Sequence, residues 1–500
     1  MILLRKFFAY IFVISIFVIL SFSHAAAQSE PNLTPVSIFD ELFRQSSNQN
    51  SYASLITDNN EAWYARWHIL SKATKTIDIT YFVIDNDIFG MSMLGMLLKK
   101  AKEGVRVRLM MDARGTKELT RKMHAMDYLQ ELLEVPGVEI KVYNPEKKQI
   151  LNALVNIRNY MASNHDKMMI VDGEWLVTGG RNLSKSYLAD PRDYKNAYHD
   201  TDVLIKGKSV ASCMKAAFDS EFNAQCVYDV KKDIFNWKSR AAELECARRS
   251  MEDHINGLPP LADNAVDKSA AKFSDELSQY KNMRSYRNFD PISGLSSYPI
   301  IVLDKNSFKG KSDDITPALM ALITRAQKEI MIHNYCINMT PRAFEALKTA
   351  GGKGVSINIL SNSPVSSEHT LAKVIFLQDW DKLLTEIKNC RLFGYNEERQ
   401  LHSKVFIFDR KITVIGSYNF DYVSEQINSE IVVAIKSEDF ANKLAEKIID
   451  DENKLSVEYK IKTDKDGKII STDGPEKQVD PKKLKLLERL KILGFLRPIL

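Results

Sequence analysis

One short segment occurs twice in this 500-residue chain, and the repetition constrains the fold more than any other feature. Residues 165–172 read His-x-Lys-x4-Asp, and residues 402–409 read the same. Small residues and an asparagine follow each copy, as Gly179-Gly180-Arg181-Asn182 and as Gly416-Ser417-Tyr418-Asn419. One His-x-Lys occurs by chance, but two copies that share the aspartate and the asparagine indicate one active site built from two similar halves.

The order of secondary-structure elements also repeats. Ala73-x-Lys75-x-Ile77-x-Ile79 in the first half matches Ala326-x-Lys328-x-Ile330-x-Ile332 in the second. The apolar spacing predicts a helix and a strand in each half, then a second helix and two more strands. The paired segments are 61–74 with 315–327, 104–109 with 354–359, and 138–144 with 390–396. This alternation predicts an α/β protein with two similar domains, each a mixed β-sheet flanked by helices, packed around one shared active site.

Changes of composition suggest where these domains begin and end. We expect a first domain at 45–225, with an extra stretch at about 145–164, and a second domain at 298–455. Residues 226–297 are polar and helix-forming at first and then rich in glycine and proline, so we expect a linker whose helices cap the cleft. Residues 456–500 are expected to form a polar segment and a basic C-terminal helix.

The N-terminus has the features of an export signal. Arg5 and Lys6 precede a continuous apolar run from Phe7 to Phe22, and Ala25-Ala26-Ala27 offers a cleavage site. We expect a signal peptide at residues 1–27. The alternative is an uncleaved signal anchor, because the apolar run is nearly long enough to span a bilayer. In both cases we expect an exported protein that is periplasmic, membrane-associated or secreted.

The distribution of charge argues against nucleic acid as the partner. The chain has a formal net charge of +5, but its last twenty residues hold six bases and one acid, and the signal holds two bases. The remaining body is therefore slightly acidic. A protein that contacts many phosphates of a nucleic acid usually has a basic body.

Strand geometry explains the spacing within the motif. Side chains two residues apart on a strand share a face, so His165 and Lys167 point the same way, and Met169 continues that face into the core. Asp172-Gly173 predicts a two-residue hairpin turn. The returning strand then brings Asn182 back to the level of His165, and the second copy follows the same rule.

The doubled set of histidine, lysine and asparagine suits a substrate with phosphate oxygens. Lysine and asparagine donate hydrogen bonds to phosphate and stabilise charge that develops there. One neutral histidine can attack phosphorus while the other, protonated, gives its proton to the leaving alkoxide. No carboxylates cluster at metal-ligand spacing, so we expect neither a metal nor another cofactor. The predicted catalytic residues are His165, Lys167, Asn182, His402, Lys404 and Asn419.

The acidic residues near the motifs are expected to have different roles. Asp172 and Asp409 face away from the histidines and are expected to fix the turns. Asp200 and Glu430, in the strands after each asparagine, are better candidates to orient the histidines, because a carboxylate on one ring nitrogen sets the tautomer and stabilises imidazolium. His199, beside Asp200, is expected to be a surface residue at a strand end rather than a third catalytic base.

The small residues before each asparagine allow two interpretations. Gly179, Gly180, Gly416 and Ser417 either let a phosphate approach the backbone or bend the chain. We treat all four as structural parts of the motif.

These motifs resemble the phospholipase D superfamily, whose signature is a duplicated H-x-K-x4-D followed by G-[GS]-x-N. The second copy has Glu430 where the family has a glutamate, whereas the first has Asp200 there after an insertion. Over about residues 55–225 and 300–450 the chain looks most like the bacterial cardiolipin synthase group. The resemblance implies a phospholipase D or phosphatidyltransferase that forms a covalent phosphohistidine, with His165 as nucleophile and His402 as acid. Phosphatidylglycerol is then the favoured substrate, and we expect a monomer.

The C-terminus bears on the partner of the protein. Asp480 and Pro481 predict a helix start. Leu486, Leu487, Leu490 and Leu493 fall on one face of that helix, with bases mostly on the other. A basic amphipathic helix is typical of binding to a phospholipid membrane surface, and the alternative is a helix docked on the protein's own core.

The leading functional prediction is a phospholipid phosphodiesterase or transphosphatidylase. The alternative is a secreted, metal-independent nuclease of the same superfamily, against which the acidic body and the amphipathic tail argue. A binding module with an inactive site is a third interpretation, and the intact histidines and lysines of both motifs argue against it.

Overall fold

The computed structural model describes residues 33–46, 49–116, 128–145, 160–224, 226–232, 239–259, 268–307, 312–464 and 469–499. The expected signal at 1–27 and most of the extra stretch at 145–164 lie outside these ranges. Within them, two sheets dominate the fold.

The two sheets follow each other along the chain. The first contains β1 (Ser51–Ile56), β2 (Thr76–Tyr81), β3 (Arg106–Asp112), β4 (Val138–Tyr143), β5 (Lys167–Val171), β6 (Trp175–Gly179), β7 (Asp202–Lys206), β8 (Val227–Asp229) and β9 (Ser296–Tyr298). The second contains β10 (Ile300–Asn306), β11 (Ser312–Asp313), β12 (Glu329–Asn334), β13 (Ser356–Asn362), β14 (Cys390–Tyr395), β15 (Lys404–Phe408), β16 (Ile412–Gly416), β17 (Glu430–Lys436), β18 (Ser456–Thr463) and β19 (Ile469–Asp473).

Strand order shows the duplication directly. The first sheet runs β8-β4-β3-β2-β5-β6-β7-β1-β9, and the second runs β11-β10-β17-β16-β15-β12-β13-β14-β18-β19. Strands β2 to β4 are parallel, as are β12 to β14, while the motif strands β5 and β15 are antiparallel to both of their neighbours. The predicted architecture, two similar α/β halves with mixed sheets, is confirmed.

Helices cover both sheets. They are α1 (Pro35–Gln45), α2 (Asn59–Ser71), α3 (Ile88–Lys102), α4 (Tyr128–Leu133), α5 (Lys185–Leu188), α6 (Lys208–Phe222), α7 (Ala241–Ile255), α8 (Lys268–Ser278), α9 (Ile315–Arg325), α10 (Pro341–Gly352), α11 (Thr370–Glu386), α12 (Tyr422–Gln426), α13 (Glu438–Lys454) and α14 (Pro481–Leu490). Short 3₁₀ segments lie at Asn282–Tyr286, Pro475–Lys477 and Lys491–Ile499. Side-chain caps fix several starts, as where Ser437 accepts a hydrogen bond from the backbone N–H of Phe440 at the start of α13.

Side chains that alternate along each motif strand point into two different hydrophobic cores, one within that half and one shared by both halves. In β5, Met169 and Val171 join the core beneath α2, α3 and α7, whereas Met168 and Ile170 face a core shared by both halves. Helices α6 and α13 and the inner faces of both sheets build this shared core. In β15 the same alternation assigns Phe406 and Phe408 to the core of the second half and Val405 and Ile407 to the shared core. The two halves are therefore fixed to each other by buried apolar side chains.

The helices of the linker differ from the prediction. Leu244, Ala247 and Met251 of α7 are buried in the core of the first half, and the α7 backbone packs closely against Gly95 in α3. The expectation that these helices cap the cleft was wrong for α7, because its apolar face completes the helical layer on the first sheet.

The C-terminal segment also contains more structure than the sequence indicated. Strands β18 and β19 form a hairpin at the edge of the second sheet, where β18 pairs with β14. Helix α14 starts at the expected cap, since Asp480 accepts hydrogen bonds from the N–H groups of Lys482 and Lys483. Among the described residues, no helix has both the length and the hydrophobicity that crossing a membrane requires.

Candidate active site

The two motif histidines lie at corresponding places in the two halves. His165 precedes β5 and His402 precedes β15, each two residues before the lysine that begins the strand. Both histidines are 8% exposed, and Lys167 and Lys404 are 1% exposed. The spacing of two places each histidine and its lysine on one face, as predicted.

Backbone contacts join the two halves at the histidines. The N–H of His165 donates to the carbonyl of Ser429 in the second half at 3.0 Å. The N–H of His402 donates to the carbonyl of His199 in the first half at 2.7 Å. Each of these carbonyls belongs to the residue just before a predicted orienting carboxylate. The pairing therefore delivers Glu430 to His165 and Asp200 to His402, so that each histidine receives its carboxylate from the opposite half.

His165 is held by a fully buried Glu430. The Nδ1 atom of His165 lies 3.1 and 3.0 Å from the two carboxylate oxygens of Glu430. Ser417 donates to the same carboxylate at 2.5 Å and Ser424 at 2.6 Å. Burial alone would raise the pKa of Glu430, but His165, Lys167 and Ser417 outweigh it and lower that pKa. An ionised Glu430 fixes the proton of His165 on Nδ1 and leaves Nε2 with a lone pair.

His402 has an equivalent partner in Asp200. Its Nδ1 atom lies 2.7 Å from Oδ2 of Asp200, whose other oxygen accepts the N–H of Thr201 at 2.7 Å. Burial opposes ionisation of Asp200, but the charges and hydrogen bonds of His402 and Lys404 hold its pKa below the usual range. Both histidines thus direct Nδ1 to a buried carboxylate from the opposite half.

The two lysines connect the halves electrostatically. The ammonium of Lys167 donates to the carbonyl of His165 at 2.6 Å, and that of Lys404 lies 2.9 Å from Nδ1 of His402. Burial lowers the pKa of Lys167 to about 7 and that of Lys404 to about 8. Lys404 lowers the pKa of His165 in the opposite half, and Lys167 lowers that of His402. The four side chains therefore form a single electrostatic site.

Both imidazoles are neutral near pH 7 in the free protein. Burial lowers the pKa of His165 despite the opposing charge of Glu430. Burial and Lys404 together lower the pKa of His402 to about 3. Two neutral imidazoles beside two ammonium groups are suited to receive an anion, which would raise all four pKa values and allow one histidine to become an acid.

The two asparagines lie beside the dyads. Oδ1 of Asn182 accepts the N–H of Val83 at 3.1 Å. Asn419 donates its backbone N–H to Ser424 at 3.1 Å, and its buried Oδ1 has no hydrogen-bond partner among the described residues. The two asparagine side chains therefore lie next to the histidine–carboxylate pairs and form no hydrogen bond to the histidines in the described contacts.

The aspartates of the motif lie away from the histidines and hold the strands together. Asp172 accepts hydrogen bonds from the N–H groups of Thr74, Lys75 and Thr76 at 2.7–2.9 Å. Asp409 does the same for Gln327, Lys328 and Glu329. Burial works against the charge of Asp172, but its backbone donors lower its pKa.

The hairpin turn has the expected central residues and a longer connection. Asp172 and Gly173 both have positive φ, +53° and +64°, and the N–H of Glu174 donates to the carbonyl of Val171. Strand pairing resumes only at Trp175, opposite Val171, so three residues connect the strands instead of two.

The small residues of the motif make room for neighbouring chain segments. A Cβ on Gly180 would lie 2.0 Å from Oδ1 of Asp200, and a Cβ on Gly416 would lie 2.2 Å from the carbonyl of Ile431. Gly179 has a φ of +155°, and a Cβ there would meet Asp202. These positions bring the strand after each asparagine close enough for its carboxylate to reach the opposite histidine.

Aromatic rings around the histidines were not found from the sequence. Tyr187, Tyr198 and Tyr335 lie with ring centroids 5.0–5.7 Å from the His402 ring, and Phe82 lies 5.2 Å from the His165 ring. Such rings suit an ordinary core equally well, so nothing in their spacing distinguished them. Ser424, which donates a hydrogen bond to Glu430, was also missed, because a single serine in a short helix has no distinctive sequence pattern.

His199 was expected at the surface, and this prediction was wrong. Its side chain is 19% exposed, and its Nε2 lies 2.7 Å from Oδ2 of Asp451 in α13. The contact arises because the backbone of His199 pairs with the segment before His402, which draws it between the halves.

Known proteins share the sequence pattern and the fold of this chain. Residues 67–222 and 319–451 match the sequence model of the family described as cardiolipin synthase, PLD-like domain. Cardiolipin synthase C of Escherichia coli (strain K12) is 25% identical over 451 residues, which cover 83% of this chain and 87% of that protein. An uncharacterized protein of Helicobacter pylori (strain ATCC 700392 / 26695) is 23% identical over 443 residues, covering 83% and 82%. The crystal structure of phosphatidylserine synthase from Haemophilus influenzae Rd KW20 superposes with a TM-score of 0.59 at 13% identity, covering 92% of this chain and 99% of that one, which shows a common fold.

Proposed function

Since the chain belongs to the phospholipase D-like family of cardiolipin synthases and is a phospholipase D-type enzyme, we propose that it transfers phosphatidyl groups from phosphatidylglycerol. The observation that carries the proposal is the pair of buried histidines, each held by a carboxylate from the opposite half and flanked by a lysine. This arrangement offers two imidazoles and two ammonium groups to one phosphodiester.

The proposed reaction has two steps. Nε2 of His165 attacks phosphorus, the P–O bond to the glycerol head group breaks, and His402 gives its proton to the leaving alkoxide. A second phosphatidylglycerol then attacks the phosphohistidine, and His402 takes the proton of its hydroxyl. The products are glycerol and cardiolipin, and water in place of the second lipid gives phosphatidic acid.

The pKa shifts fit this sequence of protonation. His165 begins neutral, as a nucleophile must. His402 also begins neutral, and its pKa rises when the phosphate anion offsets the charge of Lys167 and Lys404. On substrate binding it therefore takes up a proton from water, and this is the proton that it gives to the leaving alkoxide. The lysines then stabilise the negative charge that develops on the phosphate oxygens.

An apolar cavity beside the site supports a lipid substrate over a nucleic acid. It has a volume of about 420 Å³, is lined mainly by apolar surface, and includes Cys336, Leu371 and Ile375. Tyr335 lies in its wall and also contacts the ring of His402. A diacylglycerol group bound there would have its phosphate directed to the histidines, whereas a nucleotide chain would leave the apolar surface in contact with water.

The C-terminal helix supports a membrane partner. Leu487 docks α14 against Val374 and Leu377 of α11, as the alternative of a docked helix requires. Leu486, Ile492 and Phe495 nevertheless remain 56%, 79% and 72% exposed. We propose that these side chains enter the lipid surface while neighbouring lysines contact anionic head groups. Together with the apolar run at 7–22, these exposed side chains support an exported, membrane-associated protein.

The test compares lipid and nucleic acid substrates directly. Purified protein is incubated with phosphatidylglycerol vesicles, phosphatidylcholine vesicles or DNA, beside His165→Ala, His402→Ala and the matched variant His68→Ala, whose histidine lies in α2. We expect cardiolipin and glycerol from phosphatidylglycerol, lost in the first two variants and kept in the third. DNA cleavage without lipid turnover would reverse the proposal, and turnover that survives His165→Ala would exclude the covalent step.

A further inference from the structure

Three side chains outside the active site converge behind it. His199 precedes β7, His333 lies in β12 and Asp451 lies in α13. Nε2 of His199 is 2.7 Å from Oδ2 of Asp451, and Nε2 of His333 is 3.9 Å from the same oxygen. One potential ligand atom from each residue falls within 4.8 Å of the others. Two imidazoles and a carboxylate from three distant parts of the chain thus face one point.

His333 is buried without a hydrogen-bond partner. It is 1% exposed, and within the part of the chain that the structure describes neither ring nitrogen has a partner. Both ring nitrogens are therefore uncommitted, and Nε2 faces the carboxylate of Asp451. The register His333↔Val405 fixes the residue within the sheet. A buried polar atom without a hydrogen-bond partner is destabilising, and a bound ligand would relieve that cost.

We propose that His199, His333 and Asp451 bind a divalent transition-metal ion, with Zn²⁺ as the best match. Two imidazoles and one carboxylate suit zinc and are unsuited to Mg²⁺ or Ca²⁺, which prefer oxygen ligands. A tetrahedral ion with bonds of about 2.0–2.1 Å places its ligand atoms roughly 3.3 Å apart. The observed separations of 2.7 and 3.9 Å lie on either side of that value, so small rotations of the rings and the carboxylate suffice.

The surroundings offer access and a fourth coordination position. A cavity of about 270 Å³ reaches the three residues and can admit the ion with a water molecule. Asp58 and Asp450 line it with Arg399 and Lys447, so the charges around the site are balanced. The ion would take the place of the direct contact between Nε2 of His199 and Oδ2 of Asp451.

The position of the cluster assigns the ion a structural role. His199 is adjacent to Asp200, and its backbone pairs with Gln400 and His402. In β12, the next residue after His333 is Asn334, which pairs with Lys404. An ion at this cluster would fasten both halves directly behind the Asp200–His402 pair without contacting the substrate phosphate. It therefore differs from a catalytic metal and does not depend on the proposed lipid reaction.

The test measures metal binding itself. Full-length mature protein is stripped with EDTA, dialysed, and titrated with ZnCl₂, MgCl₂ or CaCl₂ by calorimetry, and bound zinc is counted by elemental analysis. We expect one Zn²⁺ per chain and no stoichiometric Mg²⁺ or Ca²⁺. His333→Ala and Asp451→Asn should weaken Zn²⁺ binding by at least roughly 100-fold. His254→Ala, which truncates a buried histidine in α7, should bind as the wild type does.

A spectroscopic readout separates coordination from folding. Co²⁺ in the stripped wild-type protein should give the visible absorption of a four-coordinate site, and Zn²⁺ should abolish it by displacement. Asp451→Asn is the variant that keeps the test valid if His333→Ala does not fold, because the Asp451 side chain is at the edge of the cluster and 12% exposed. Absence of stoichiometric Zn²⁺, or unchanged affinity in a folded Asp451→Asn protein, would overturn the proposal.

Discussion

The crossed pairing of histidines and carboxylates predicts which variants share a kinetic defect. If Glu430 serves His165 and Asp200 serves His402, Glu430→Gln must impair the same step as His165→Ala. Asp200→Asn must impair the same step as His402→Ala. A pairing within each half would exchange the two carboxylates, so the grouping of four variants distinguishes the alternatives.

The structure sets the size of the effect for Glu430→Gln. The carboxylate is fully buried and accepts from His165, Ser417 and Ser424, and glutamine keeps its shape but loses its charge. Loss of a charge-assisted hydrogen bond costs about 1.5–3 kcal/mol, or about 10- to 150-fold in rate. If the new amide nitrogen faces Nδ1 of His165, the imidazole takes the wrong tautomer, and the loss approaches the roughly 10⁴-fold known for a serine protease triad. We expect a fall in kcat between these limits.

The assay separates the two steps by the leaving group. Phosphatidylglycerol releases an alkoxide that needs a proton, whereas phosphatidyl-p-nitrophenol releases a stable phenolate that does not. The variants that lack the acid or its carboxylate should therefore recover a burst of p-nitrophenolate in stopped flow. The variants that lack the nucleophile or its carboxylate should show no burst on either substrate. If His402 were the nucleophile, His402→Ala and Asp200→Asn would lack the burst and His165→Ala and Glu430→Gln would show it. The pairing of each histidine variant with its carboxylate variant would stay the same.

The outcome that refutes the crossed pairing is specific. Asp200→Asn grouped with His165→Ala, or a loss below about fivefold for Glu430→Gln, would be incompatible with the contacts described above. Glu131→Gln provides the control, because it neutralises a mostly buried carboxylate that accepts from Ser239 in the first half and contacts neither histidine. Thermal midpoints of all variants show whether a loss of rate reflects a loss of fold.

Four further perturbations follow from the same contacts. Gly180→Ala should lower kcat at least about tenfold, because the new Cβ would displace the Asp200 carboxylate, whereas Gly352→Ala, with no heavy atom within 4 Å, should not. Asp172→Ala should lower the free energy of unfolding in urea by about 1–3 kcal/mol and leave kcat within about threefold, since it removes the acceptor of three backbone N–H groups outside the site. The value of kcat/KM should fall as pH rises through 7–8, because Lys167 and Lys404 are charged below their pKa values of about 7 and 8 and neutral above them. A kcat/KM that stays constant up to pH 9 would contradict this. Deletion of 481–500 should weaken flotation with phosphatidylglycerol vesicles, as should replacing exposed Ile492 and Phe495 with serine, and unchanged flotation would remove the helix from membrane binding.

The duplicated architecture could be predicted because it depends on the spacing of apolar and polar residues within short stretches of sequence. Strand periodicity fixed the face shared by His165 and Lys167, and the matching spacing around Ile77 and Ile330 identified equivalent strands. Both signals arise within about ten residues of sequence, where side-chain alternation decides the structure.

The remaining features depend on contacts between distant segments. Glu430 follows His165 by 265 residues, and only the pairing of Ser429 with the backbone of His165 shows which histidine it serves. The position of α7 was misjudged because its polar composition resembles that of a linker, while a few buried side chains such as Leu244 decide where it packs. His199 was misplaced for the same reason, since its partner Asp451 is 252 residues away.

The crossing has a consequence for how the two halves depend on each other. Each half contains a full copy of the motif, but the His165 half lacks Glu430 and the His402 half lacks Asp200. Without the opposite half, the backbone N–H of either histidine would lose its carbonyl partner, and its imidazole would lose the carboxylate that sets the tautomer. The shared apolar core between the sheets is thus a requirement of the chemistry as well as of stability, because a shift between the halves would separate both dyads at once. The two halves can use carboxylates of different length, Asp200 and Glu430, because each has to reach only one histidine. Gly180 leaves room for the carboxylate of Asp200, and Ser417 donates a hydrogen bond to that of Glu430.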